Sequence, residues 1–124
     1  MRIEVEQRDG VCVVRFIGRF ATGEDPHFLS AKAEEIKKAN RGKLLADFSE
    51  VPYVGSTGLG YLVSIYTSVT ALSGGRFVLV GLTPRVRELF DMTRLNTIIP
   101  MAADFTAGWA ALCGEGAAAQ ADTP

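Results

Sequence analysis

Residues 44–72 carry the feature that most narrows what this chain can fold into. A short apolar run, Leu44-Leu45-Ala46-Asp47-Phe48, leads into a loop. Apolar residues then recur at three- and four-residue steps: Leu59, Leu62, Val63, Tyr66, Val69 and Leu72. The first part reads as a strand buried on both faces, the second as an amphipathic helix. A buried strand followed directly by such a helix predicts a crossover to a parallel neighbour. Between them lie Gly55-Ser56-Thr57-Gly58, two hydroxyls flanked by glycines, with the helix expected from about Thr57. A hydroxyl there can cap the helix, bind a phosphate, or become a phosphate ester.

The rest of the chain fits around this unit. Residues 3–7 alternate apolar and polar, Asp9-Gly10 is a tight-turn pair, and 11–18 form a second, more apolar strand, so the chain opens with a hairpin. Asp25 before Pro26 signals a helix start, with Phe28 or Leu29, then Ala33 and Ile36, along its inner stripe and Asn40-Arg41-Gly42 at its end. A fourth strand is expected over 76–81. A helix opened by Thr83-Pro84 follows, with Val86, Leu89 and Phe90 inward, then a fifth strand over 97–101. Asp104 caps a last helix carrying Phe105, Trp109 and Leu112. The order is ββαβαβαβα. It is an α/β fold: a mixed, mostly parallel sheet with an N-terminal antiparallel hairpin and four helices. Residues 1–113 form the expected domain, and 114–124, rich in Gly and Ala, read as a disordered tail.

Composition excludes several functions. The chain has 124 residues, enough for one domain. Thirteen basic and 14 acidic residues are scattered and leave a net charge of −1, so no electrostatic basis exists for nucleic acid or anionic membrane. Residues 51–75 contain no charge, but proline, glycines and hydroxyls interrupt them, so membrane insertion is not expected. Cys12 and Cys113 lack CxxC partners and read as buried thiols, and the charged, strand-like N-terminus is no signal peptide. A cytoplasmic protein is the expectation. His27 is the single histidine, so no metal site is expected. Residues 55–60 lack the Lys-Ser/Thr pair of a phosphate-binding loop and the spacing of a dinucleotide fingerprint, so no cofactor is expected. Ser56, His27 and Asp47 could be drawn as a triad. The glycine stands directly before the serine, however, and not two residues before it, so no nucleophile elbow supports catalysis.

Two features bear on partners. As an N-cap, Ser56 would be worth roughly 1 kcal/mol, and the same helix end could also hold a phosphate. The expected outward face of that helix, Gly60, Tyr61, Ser64, Thr67, Ser68 and Ala71, carries no charge, where a solvated face normally carries Lys and Glu. Either a partner covers it, or the tail or a second copy of the chain does. Arg85, Arg87, Asp91 and Arg94 form a charged surface, either solvated or at the rim of a partner contact.

The stretch Asp47-Phe48-Ser49-Glu50-Val51-Pro52-Tyr53-Val54-Gly55-Ser56-Thr57-Gly58-Leu59-Gly60 resembles the signature of STAS domains of the anti-sigma-factor antagonist type. Residues 82–95, Leu-Thr-Pro-Arg-Val-Arg-Glu-Leu-Phe-Asp-Met-Thr-Arg-Leu, resemble that family's second segment, and the strand pair ending at Gly18 fits as well. The resemblance implies a protein that is not an enzyme. It implies a switch that binds an anti-sigma serine kinase and frees the sigma factor, is phosphorylated on Ser56 (Thr57 as second choice), and is reset by a serine phosphatase. It places partner contacts on Gly55, Ser56, Thr57, Gly58, Gly60, Tyr61 and Ser64, in a monomer or weak homodimer. Two positions depart from the family pattern: Gly55 replaces the usual acid, and Gly18-Arg19-Phe20-Ala21 replaces Gly-Glu-Leu-Asp. The family also includes non-phosphorylated scaffolds and regulatory subunits, for example of transport assemblies, which is the alternative role.

Overall fold

The computed structural model describes residues 1–20, 23–40, 42–71 and 74–113. Strands β1 (Arg2–Arg8) and β2 (Val11–Ile17) form the antiparallel hairpin. Its turn residues, Asp9 at φ 49° and Gly10 at φ 82°, are both left-handed, as a two-residue hairpin turn requires. Helix α1 (Pro26–Ala39) follows, with the Asp25 carboxylate accepting the His27 N–H at 2.9 Å. Strand β3 (Lys43–Glu50) pairs in parallel with β2 and with β4 (Arg76–Val80). Helix α2 (Ser56–Thr70) links β3 to β4, and α3 (Pro84–Met92) leads towards β5 (Met101–Ala102), which is parallel to β4. Helix α4 (Phe105–Cys113) comes last. The five strands lie in chain order across the sheet, so the expected mixed, mostly parallel architecture holds.

Strand alternation divides the apolar residues between two cores. On one face Val14, Phe16, Leu44, Phe48, Phe77 and Leu79 pack with Leu29 and Ile36 of α1, Leu62, Ile65 and Val69 of α2, and Val86 and Phe90 of α3. On the other, Val11, Val13, Leu45, Val78 and Val80 meet Leu112 of α4, with Phe105 and Trp109 alongside. Each fully buried side chain of this size contributes about 1.5–3 kcal/mol. Most of the stability therefore lies on the three-helix face. Cys12 is buried there, and burial, with the Glu35 carboxylate adding to it, pushes its thiol up to about 11. Cys113 is half-buried at the end of α4.

Two expectations change. The β-branched run at 97–101 does not form a five-residue strand. Arg94 turns left-handed (φ 62°) after α3, a short 3-10 turn occupies Leu95–Thr97, and Ile98 and Ile99 both donate to the Leu95 carbonyl. The Pro100 carbonyl accepts the Leu79 N–H of β4, and only Met101 and Ala102 pair in strand register, because the chain spends the preceding residues closing this turn over Ile99. Helix α2 begins at Ser56 and ends at Thr70. Its expected last residue, Leu72, and the expected tail, 114–124, lie outside the described residues.

Helix α4 approaches the sheet closely through Gly108, where an added Cβ would stand 2.2 Å from Val80 Cγ1. In an open helix, Gly→Ala gains up to about 1 kcal/mol, whereas overpacking a core costs about 1–3 kcal/mol or more. The clash should win at this position. Gly108→Ala is expected to lower the urea-unfolding free energy by at least 1 kcal/mol, and an unchanged midpoint would show that α4 can lift off the sheet freely.

Candidate functional site

Two loops meet at the start of α2. The Phe20 N–H donates to the Tyr53 carbonyl at 2.9 Å, and the Gly55 N–H donates to the Phe20 carbonyl at 2.8 Å, making one parallel bridge between Phe20 and Val54. Two residues earlier, the Gly18 N–H donates to the Glu50 carbonyl. The Phe20 ring is fully buried and lies under Gly58, where an added Cβ would sit 2.8 Å from the ring and 2.9 Å from Val54 Cγ1. The first turn of α2 is thus seated by backbone pairing and by a ring filling the space a glycine leaves.

Gly55, buried and extended (φ −98°, ψ −174°), occupies the N-cap. Ser56 is the first helical residue and not the cap. The expected capping bond does not form, and the Ser56 hydroxyl is exposed with no hydrogen-bond partner among the described residues. The other helices are capped by side chains: Asp25, Thr83 (accepting the Val86 N–H at 3.3 Å) and Asp104 (accepting the Ala107 N–H at 2.9 Å). Helix α2 has neither a side-chain cap nor an acid in its first turn. Its first N–H groups and the positive end of its dipole are uncompensated.

The remaining site residues separate by face. Thr57 is half-buried, Gly60 and Ser64 are exposed, and Gly58 faces the core. Tyr61 corrects the expected outward face: its ring packs 5.6 Å from that of Phe20, and its hydroxyl donates to the Leu29 carbonyl at 2.8 Å. It ties α2 to α1. Burial pushes its phenol up to about 12. Asp47 and His27 are not brought together with Ser56. Asp47 is buried on the α4 side of β3, paired with Arg15 at 3.6 Å and accepting the Ser49 N–H, whereas His27 is exposed on α1. Among the described residues no cluster of three metal-type ligands exists.

A groove of 420 Å³ opens beside Ser56, between the start of α2 and α3. Tyr53, Leu59, Leu89 and Met92 give it an apolar floor, and Arg85 and Glu88 stand in its wall. The Arg19 guanidinium lies over the Tyr53 ring, 4.6 Å from its centroid. Sequence reasoning missed this groove. A signal existed in Met92, an apolar residue off the Val86–Phe90 stripe, which is 76% exposed.

Residues 2–107, spanning all five strands and the whole site, match the STAS domain family. The chain belongs to that family. The anti-sigma-B factor antagonist of Listeria monocytogenes is 34% identical over 101 residues, covering 78% of this chain and 84% of that protein. The anti-sigma F factor antagonist of Paenibacillus polymyxa is 25% identical, over 82% and 86% respectively. The crystal structure of an anti-sigma factor antagonist from Mycobacterium paratuberculosis is similar with a TM-score of 0.80 at 25% identity, covering 91% of this chain and 94% of the other.

Two glycines of this STAS domain, two residues apart, should behave oppositely. Gly60 has open space where a Cβ would go, and Gly58 does not. Gly60→Ala is expected to raise the stability of the isolated domain by up to about 1 kcal/mol. Gly58→Ala should lower it by about 1–3 kcal/mol; equal responses in thermal melts would mean that Phe20 does not hold the helix start.

The Tyr61 bond has a pH signature. Its folded pKa lies above the unfolded value near 10, so its contribution is complete below pH 10 and is lost as pH rises towards 12. Tyr61→Phe should cost about 1 kcal/mol at neutral pH and flatten the fall of stability between pH 10 and 12. A variant with an equally steep alkaline fall would place its cause elsewhere.

Proposed function

We propose that this STAS domain is an anti-sigma factor antagonist: a protein-interaction switch that binds an anti-sigma serine kinase and is released when that kinase phosphorylates Ser56. The observation that carries the reading is the Ser56 hydroxyl, exposed and unbonded at the first position of a helix that lacks both a side-chain cap and a first-turn acid. The names of the relatives support the antagonist role. In the transfer, Ser56 Oγ bonds to the γ-phosphorus of ATP, ADP leaves with the electrons of the broken P–O bond, and the hydroxyl proton passes to a base on the kinase.

Direct contacts with the kinase fall on Ser56, Thr57, Gly60 and Ser64. Gly55, Gly58 and Tyr61 act by seating the helix. The kinase and ATP place the switch in the cytoplasm, and a serine phosphatase reverses it. Residues 1–113 are taken as the working domain. The phosphate would add about −1.5 to −2 charges beside a helix that has no charged residue. Its N–H groups and dipole tolerate that charge, so the damage falls on the complex and not on the fold. A second reading, a non-phosphorylated scaffold within a larger assembly, is favoured by Gly55, which leaves a kinase no acid beside the serine.

Incubation with ATP and the serine kinase that co-purifies with the protein should place one phosphate on Ser56 by mass spectrometry. Phosphate on neither Ser56 nor Thr57 would sink the switch and leave the scaffold. With no capping bond to lose, Ser56→Ala should melt within about 0.5 kcal/mol of the parent. Ser56→Asp should weaken kinase binding at least tenfold, roughly 1.4 kcal/mol; a Ser56→Ala variant that unfolds would show that the hydroxyl is structural.

A further inference from the structure

The groove beside Ser56 contains a cation that the switch described above does not use. Arg85 lies in the first turn of α3, is exposed, lines the same groove as Ser56, and forms no hydrogen bond or ion pair among the described residues. Its neighbour Arg87, two residues on, is already paired with Asp91 at 3.1 Å. The charged groups that line the groove are Arg85 and Glu88, and Arg19 approaches from the β2–α1 side, held over Tyr53. Among the described residues, Arg85 is therefore the cation that lines this groove without a committed partner.

We propose that Arg85 is the intramolecular counter-ion of a phosphate carried by Ser56, so that phosphorylation bridges α2 to α3 across the groove. The planar guanidinium can give two parallel N–H bonds to a phosphate. The pair spans the mouth of the groove above Leu59, Leu89 and Met92, and closes this apolar floor to a partner's side chains. Glu88 opposes the pair, because its carboxylate lines the same wall. Phosphorylation in this picture blocks a partner twice: it adds charge, and it draws Arg85 over the apolar seat. The proposal rests on the reading of Ser56 as the phosphoacceptor, but its test does not depend on any kinase.

Phosphoserine is installed at position 56 during synthesis, and the phosphate is titrated by 31P NMR in the otherwise unchanged full chain. A phosphate monoester ordinarily loses its second proton near pH 6. A facing cation favours the dianion, so the parent's pKa should lie below that value. Arg85→Gln should raise it by about half a pH unit, and Arg85→Lys should restore part of the lowering. Removing the like charge with Glu88→Gln should lower it further, and Arg87→Gln should leave it in place. Far-UV circular dichroism of Arg85→Gln, an exposed position, should match the parent. The proposal is overturned if Arg85→Gln leaves the phosphate pKa unchanged, or if Arg19→Gln and not Arg85→Gln produces the rise. Failure of a kinase to modify Ser56 would overturn the switch and leave this measurement standing.

Discussion

The seating of α2 depends on Phe20. Its backbone is bonded on both sides to the loop before α2, and its ring occupies the volume that Gly58 leaves empty. Two backbone bonds at about 0.5–1.5 kcal/mol each and a buried ring at about 1.5–3 kcal/mol amount to a few kcal/mol. Ser56 is held in one place because a residue from a different loop sits beneath it. The same ring meets Tyr61, which reaches Leu29 of α1, so one aromatic pair sets the angle of α2 against both its loop and its neighbouring helix.

Much of this could be read from the sequence where the pattern was local. Asp25-Pro26, Thr83-Pro84 and Asp104 named three helix starts correctly, because a short polar side chain before a helix has one strong use. Asp9-Gly10 named the hairpin for a similar reason. The misreadings arose where a tertiary contact decided the outcome. Ser56 looked like a cap because it resembles one chemically, yet Gly55 takes the cap position: the Phe20 bridge fixes the residue before the helix, and only the backbone of Gly55 is engaged. Tyr61 lies at the edge of the apolar stripe, and periodicity alone could not reveal that its hydroxyl has a carbonyl to meet in α1. The Thr97-Ile98-Ile99 run has strand-forming residues, but the left-handed Arg94 turns it into a 3-10 closure. The groove joins residues about thirty positions apart, so only Met92, out of phase with its own helix, hinted at it.

These features together separate the fold from the signal. The residues that hold α2 in place (Gly55, Gly58, Tyr61) are buried or half-buried, and those that meet solvent (Ser56, Gly60, Ser64) make few structural contacts. A charge placed on the second group changes what the surface attracts while the first group keeps the backbone still. A surface built this way can take on charge without loosening the helix beneath it.

The two cysteines differ in a way that is useful in practice. Cys12 is enclosed in the core of the three-helix face, and its proton is held to about pH 11, so near neutrality it offers neither access nor thiolate. Cys113 is partly open at the end of α4, on the sheet face away from α2. The chain therefore presents a single addressable thiol, on the sheet face away from α2. A fluorophore or surface tether can be attached there without mutagenesis, leaving the groove between α2 and α3 untouched.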